Sequence, residues 1–150
     1  MSKVTKDKSY VAVEDKINAL AKAIECKTTD IERSQYDDYL FEVDGDEYLV
    51  LSDSEADTRC ENQINYSLWA FNAEFIASHT RTRLEDKQID AIRKMQSELC
   101  EDANEIVRAL IYDVDYFIKD AINADGRGHF LAQYDFEEIE QDGFYIYRTN

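Results

Sequence analysis

Apolar residues recur along this chain at helical and strand spacings in turn, and the changes of period mark its elements. Val13, Ile17, Leu20 and Ile24 fall at steps of four, three and four, which predicts a first helix over Val13–Glu25. Tyr39–Val43 and Glu47–Leu51 are rich in aromatic, β-branched and Leu residues. Asp44-Gly45 between them tolerates the positive φ of a tight hairpin turn. Ser52 and Glu55 then stand at capping-box spacing, where each side chain satisfies a backbone amide of the other's end of the turn, so a long helix is predicted to start there. Ala56, Cys60, Ile64, Leu68, Phe71 and Phe75 line one face of it, while Trp69, Ala73 and Ile76 fall on the opposite face. A helix apolar on two sides is central or lies in a dimer interface, so a homodimer is one expectation.

Thr82 with Glu85 repeats the capping-box spacing. Ile89, Ile92, Met95 and Leu99 carry a stripe toward Ala103, Ile106, Val107 and Leu110. Val114, Phe117, Ile118, Ala121 and Ile122 predict one more helix, stopped by Gly126-Arg127-Gly128. His129–Gln133 and Phe144–Arg148 read as strands. Proline is absent, and no linker or internal repeat interrupts the pattern. The expected architecture is a single α+β domain over residues 1–150. Its small antiparallel sheet, built from the N-terminal hairpin and the C-terminal strands, is covered by helices on one face.

Charge changes this picture from an ordinary small domain to an unusual one. The 150 residues carry 33 acids against 17 bases, a net of −16, yet 44% are apolar, enough for a real core. Residues 30–61 and residues 98–142 each carry a net of −10, and the segments around them are slightly positive. Such a surface repels nucleic-acid phosphates and anionic lipid headgroups, so direct binding to nucleic acid or membrane is not expected. No stretch nears the roughly 18 apolar residues of a membrane span. The Lys-containing start Met1–Lys8 is not followed by a signal-peptide core, and a cytoplasmic location is expected.

Candidate chemistry is sparse. Only His79 and His129 are available as imidazoles, and no metalloprotease, nucleophile-elbow, phosphate-loop or complete calcium-loop motif occurs. Asn123-Ala124-Asp125-Gly126 reads as a turn, and the spacing of Asp113, Asp115 and Asp120 is what chance supplies in so acidic a chain. No metal, cofactor or catalytic residue is therefore assigned, and the protein is expected not to be an enzyme. Cys26, Cys60 and Cys100 lack any CxxC pairing and read as reduced, buried thiols. Arg127 and His129, with Tyr134 and Asp135, are the one local cluster suited to a small anion. The competing reading pairs Arg127 and His129 with acids to fasten the last strands onto the helices.

The runs YLFEVDGDEYLVLSDSEAD (Tyr39–Asp57) and DGRGHFLAQYDFEEIEQDGFYIYRTN (Asp125–Asn150) cover about 45 of the 150 residues. With their GRGH turn, Tyr-Asp step and closing YIYRTN strand they resemble small acidic proteins of phages and mobile elements. Phe136 stands where a small turn residue follows Tyr134-Asp135 in that pattern. The resemblance implies a phage accessory protein acting inside a host cell, among nucleic-acid-binding defence proteins.

Acidity and resemblance together lead to an expected role as a DNA mimic. It would occupy the basic nucleic-acid groove of a host defence protein such as a restriction nuclease or CRISPR effector. Sixteen net charges match about 27 Å of duplex at one charge per roughly 1.7 Å, within the about 38 Å width of a domain this long. The partner-binding carboxylates would be Asp37, Asp38, Glu42, Asp44, Asp46, Glu47, Asp53, Glu55, Asp57 and Glu61 in the first acidic block. Glu101, Asp102, Glu105, Glu137, Glu138 and Glu140 would serve in the second. The alternatives are an interaction protein whose acidity only solubilises it, and a small-anion binder using Arg127 and His129.

Overall fold

The computed structural model describes the backbone from Lys3 to Asn150 and side chains from Val13 onward. The fold is α+β. Two compact units separate, Met1–Cys60 with Arg127–Asn150, and Glu61–Gly126.

The first unit is built on a sheet of five antiparallel strands. They are β1 (Glu32–Arg33), β2 (Leu40–Val43), β3 (Asp46–Leu51), β4 (Ile139–Gln141) and β5 (Phe144–Arg148), in the order β1-β2-β3-β5-β4. Asp44 and Gly45 take φ of 50° and 87°, as a two-residue hairpin turn between β2 and β3 requires. Asp142 and Gly143 do the same between β4 and β5, at 53° and 82°. The C-terminal hairpin joins the N-terminal one through Leu49↔Tyr147 and Val50↔Ile146. Helix α1 (Lys3–Ile24) packs Leu20 and Ala21 against Phe41, Val43, Tyr48, Val50 and Ile146.

α1 begins ten residues before the predicted Val13, because the apolar stripe marks only the part that meets the sheet, and no Gly or Pro stops the helix earlier. Of the Met1–Lys8 start, Met1 and Ser2 lie outside the described residues and the rest belongs to α1. The helix ends where Glu25 turns left-handed (φ 57°) and Cys26 N–H donates to the Ala21 carbonyl at 3.0 Å, a Schellman-type closure.

The sheet is not covered on one face alone. Tyr48, Leu49, Val50 and Leu51 are four consecutive buried residues of β3, so this part of the sheet is buried on both sides. The second face is capped by the start of α2 (Asp53–Asn65) and by α7 (Arg127–Leu131), held over the Tyr145 ring by Arg127. Ser52 and Glu55 form the predicted capping box: Ser52 N–H donates to Glu55 Oε1 at 2.8 Å, and Glu55 N–H to Ser52 Oγ at 3.3 Å.

His129–Gln133 is not a strand. His129–Leu131 lie in α7, which closes with Ala132 N–H on the Gly128 carbonyl at 2.9 Å. A five-residue apolar run does not distinguish the two structures by period. Gly126 (φ 81°) redirects the chain before α7, and Gly128 lets α7 approach the 136–138 backbone. A Cβ there would lie 2.6 Å from the Phe136 carbonyl oxygen. Phe136 itself is left-handed (φ 60°), and its N–H donates to the Ala132 carbonyl at 2.7 Å.

The second unit holds α3 (Ala73–Ala77), α4 (Asp86–Leu99), α5 (Asn104–Leu110) and α6 (Val114–Asp125), together with α2 beyond Cys60. Ile64, Leu68, Ile76, Ile92, Val107 and Phe117 are buried there. Phe117 meets Phe71 and Phe75 edge-on at 5.0 and 4.8 Å between ring centres.

The long two-sided helix predicted from Ser52 past Ile76 is broken. α2 stops at Asn65, Leu68–Ala70 form a short 3-10 turn, and α3 restarts at Ala73 behind the Asn72 cap. Asn104 bridges the break, its Nδ2 donating to the Asn65 carbonyl at 3.0 Å and its Oδ1 accepting from Trp69 N–H at 3.1 Å. Gln96 Nε2 donates to the Trp69 and Phe71 carbonyls, both at 2.6 Å. Trp69 therefore sits in a pinned turn, and the helix face on which the dimer expectation rested does not exist. The capping box of α4 lies three residues later than Thr82/Glu85: Glu85 is the cap and Gln88 the reciprocal residue, with Gln88 Oε1 accepting from Glu85 N–H at 2.8 Å. α6 runs from Val114 through Asp125, so the turn lies at Gly126 rather than across Asn123–Gly126.

None of the three cysteines is in a disulfide. Cys60 is buried and Cys26 half-buried, whereas Cys100, expected inside, is exposed where α4 ends with φ of 50°. Among the described residues no helix is long and apolar enough to cross a membrane.

Candidate functional site

The acids of the first unit divide into those that hold the fold together and those that have no cation beside them. Asp37 is ion-paired with Arg59, Asp38 with Arg33 at 3.5 Å, and Asp46 with Arg148 at 2.9 Å. Glu55 accepts from Lys16 Nζ at 2.8 Å, and Lys16 is almost wholly buried. The Arg59 guanidinium holds the Asp37 carboxyl below the usual range. Burial pushes Glu55 up, but its bonds from Lys16 and Ser52 outweigh that and leave it lowered.

Arg127 gathers the largest group. Its guanidinium contacts Asp53 at 2.9 Å, Asp57 at 3.0 Å and Glu138 at 3.0 Å, and stacks 4.5 Å above the Tyr145 ring centre. Burial opposes its charge, but Glu138 and Asp53 overcome this and raise its pKa further. Tyr147, fully buried, donates its hydroxyl to Glu138 at 2.5 Å. Burial and that bond together push its phenol far above the ordinary range. With three carboxylates already on it, Arg127 offers little to a small anion. His129 lies against Phe136, ring centres 5.6 Å apart, and among the described residues it is not paired with an acid.

What remains is a row of glutamates on adjacent strands. Glu32 of β1 stands opposite Glu42 of β2, and Glu42 opposite Glu47 of β3. Directly paired residues point to the same face, and strands lie about 4.8 Å apart, so the three carboxylates form one line across the sheet. Among the described residues none of the three carries an ion pair, and Glu47 Oε2 has only Thr149 Oγ1 at 3.5 Å. Asp44 is exposed at the hairpin turn beside the row. Glu137 and Glu140 are exposed elsewhere in the unit. Glu32 is absent from the sequence-derived set because nothing in composition marks a two-residue strand, and only the register aligns it.

Like charges facing each other across strands repel. Glu42→Gln, which relieves both repulsions at once, is expected to stabilise the protein by about 0.5 kcal/mol, read as a higher urea midpoint at unchanged slope. A destabilised variant would mean that the row is not aligned as described.

In the second unit Glu101, Asp102 and Glu105 are exposed around the start of α5, with Glu105 3.5 Å from Arg108. Glu61 lies exposed on α2. Asp113 caps α6 by accepting from Tyr116 N–H at 3.1 Å, and Asp120 lies 2.9 Å from His79 Nε2. Among the described residues no group of three or more His, Cys, Asp or Glu could hold a metal ion.

No protein-family model, curated protein or solved structure matches this chain.

Proposed function

We propose that this protein is a non-enzymatic DNA mimic of phage type, which inserts unpaired carboxylates into the basic nucleic-acid groove of a host defence protein. The supporting observation is the Glu32–Glu42–Glu47 row. A solubilising role needs negative charge but not alignment, and aligning three carboxylates across a sheet costs stability. One carboxylate per about 4.8 Å of sheet is of the same order as one phosphate per 3.4 Å along a DNA strand. Lys or Arg side chains spaced to grip a phosphate backbone meet the row with charge-assisted hydrogen bonds.

The paired acids belong to the fold under this reading. Asp37, Asp38, Asp46, Asp53, Glu55, Asp57 and Glu138 already have cations of the same unit; of the acids with none among the described residues, Glu32, Glu42 and Glu47, with Asp44 beside them, are the aligned group that would face a partner.

The test is competition against duplex DNA for a panel of restriction nucleases and CRISPR effectors at rising salt. Binding is expected to weaken at least about tenfold between roughly 50 and 200 mM salt. Replacing Glu32, Glu42 and Glu47 together by Gln should weaken it at least about tenfold again without loss of stability. Binding that ignores both salt and the triple substitution would overturn the proposal.

A further inference from the structure

Within the second unit, the last turns of α2 and the first turns of α6 flank an open cleft of about 360 Å³. It is lined by Glu61, Asn62, Asn65, Asp115, Ile118 and Lys119. Its volume lies at the low end for ligand pockets, the size range of a single small metabolite. Glu61, Asn62 and Asn65 share one face of α2 by helical spacing, as Asp115, Ile118 and Lys119 share one face of α6. Ile118 is buried and supplies the apolar part of the lining.

The charged groups of this cleft do not neutralise each other. Asp115 and Lys119 stand at the i, i+4 spacing that commonly yields an ion pair. Among the described residues, however, the side chains of Glu61, Asn62, Asp115 and Lys119 have no hydrogen bond or ion pair. Asn65 is different: Arg108 Nη1 donates to its Oδ1 at 2.6 Å, which fixes the amide and leaves its Nδ2 hydrogens free to donate.

We infer that this cleft binds a basic α-amino acid, a ligand with two cationic groups and one carboxylate that mirrors its two carboxylates and one ammonium. Lys119 receives the α-carboxylate. Glu61 and Asp115 receive the α-ammonium and the side-chain cation. The aliphatic stem lies on Ile118, and Asn62 and Asn65 complete the polar contacts. A polyamine leaves Lys119 facing a cation, and an acidic amino acid leaves Glu61 or Asp115 facing a carboxylate. Both are disfavoured by the same complementarity. The inference stands apart from the glutamate row and does not depend on DNA mimicry.

Nitrogen-15 NMR titration of the full chain tests it with three probes: L-arginine, agmatine, which lacks the carboxylate, and L-glutamate. L-Arginine is expected to shift the amides of Glu61–Asn65 and Asp115–Lys119 saturably. Agmatine should bind at least about tenfold more weakly and L-glutamate not at all. Lys119→Ala should bring arginine down to the agmatine level, and Glu61→Gln with Asp115→Asn should abolish both. These positions lie at the surface, and retained amide dispersion establishes that each variant is folded. Absence of a saturable arginine response at these amides would overturn the inference. So would equal affinity for arginine and agmatine in the unsubstituted protein, or an arginine preference that survives Lys119→Ala.

Discussion

Gly128→Ala is expected to destabilise the sheet-bearing unit by about 3 kcal/mol, against the direction that helix propensity alone would give. Ala is favoured over Gly in a helix by about 1 kcal/mol, and Gly128 lies in α7. The new Cβ, however, would stand 2.6 Å from the Phe136 carbonyl oxygen and 3.2 Å from both Glu137 C and Glu138 N. All three are backbone atoms, so no side chain can rotate away. Moving the 136–138 segment would draw Glu138 off Arg127 and Tyr147 as well, and the clash therefore outweighs propensity. Gly45→Ala is the control. Nothing lies within 4 Å of its Cβ, and only the left-handed φ of 87° opposes it, at about 1 kcal/mol. The measurement is hydrogen exchange at the Val50 and Ile146 amides, because the single Trp69 reports on the other unit. A Gly128→Ala protein as protected as the parent would show that α7 does not approach the loop closely.

Arg127→Ala is expected to cost about 2–3 kcal/mol and to lower the melting temperature by about 4–12 °C. Breaking a fully buried ion pair costs more, about 3–5 kcal/mol. Here Asp53 and Asp57 are 71% and 55% exposed, and water screens their share. Most of the loss comes from Glu138, which would be left with the Tyr147 hydroxyl alone, and from the stacking over Tyr145. Arg127→Lys should recover less than half, since one ammonium cannot bridge three carboxylates from two sides as the guanidinium fork does. If the alanine variant melted within a degree of the parent, Arg127 would be a surface cation with optional partners. The anion-binding reading of the Arg127 cluster would then regain its ground.

The elements legible in the sequence are those whose signals are local. Asp44-Gly45 between two apolar runs specifies a hairpin, Ser52 with Glu55 a helix start, and Val114 to Ile122 a helix ended by glycine; each forms where it was read. The break after Asn65 was not legible, because the groups that satisfy it are Asn104 and Gln96, some 30 residues away. Two- and three-residue strands such as β1 and β4 are too short to show any period.

The candidate site divides in the same way. Composition pointed to the acidic blocks, which hold 25 of the 33 acids, but it does not sort them: Asp53 and Glu42 look alike in sequence, yet one is bound to Arg127 and the other has no cation among the described residues. By itself the sequence determined the α+β class, the first hairpin, the starts of α2 and α6 and the excess of negative charge, since these depend on neighbours within a few residues. Which carboxylates are neutralised, which stand in line across β1, β2 and β3, and which close around the α2–α6 cleft was decided only by tertiary structure. Coulomb energy depends on distance in space, and strand register and helix packing set those distances between residues far apart in the chain.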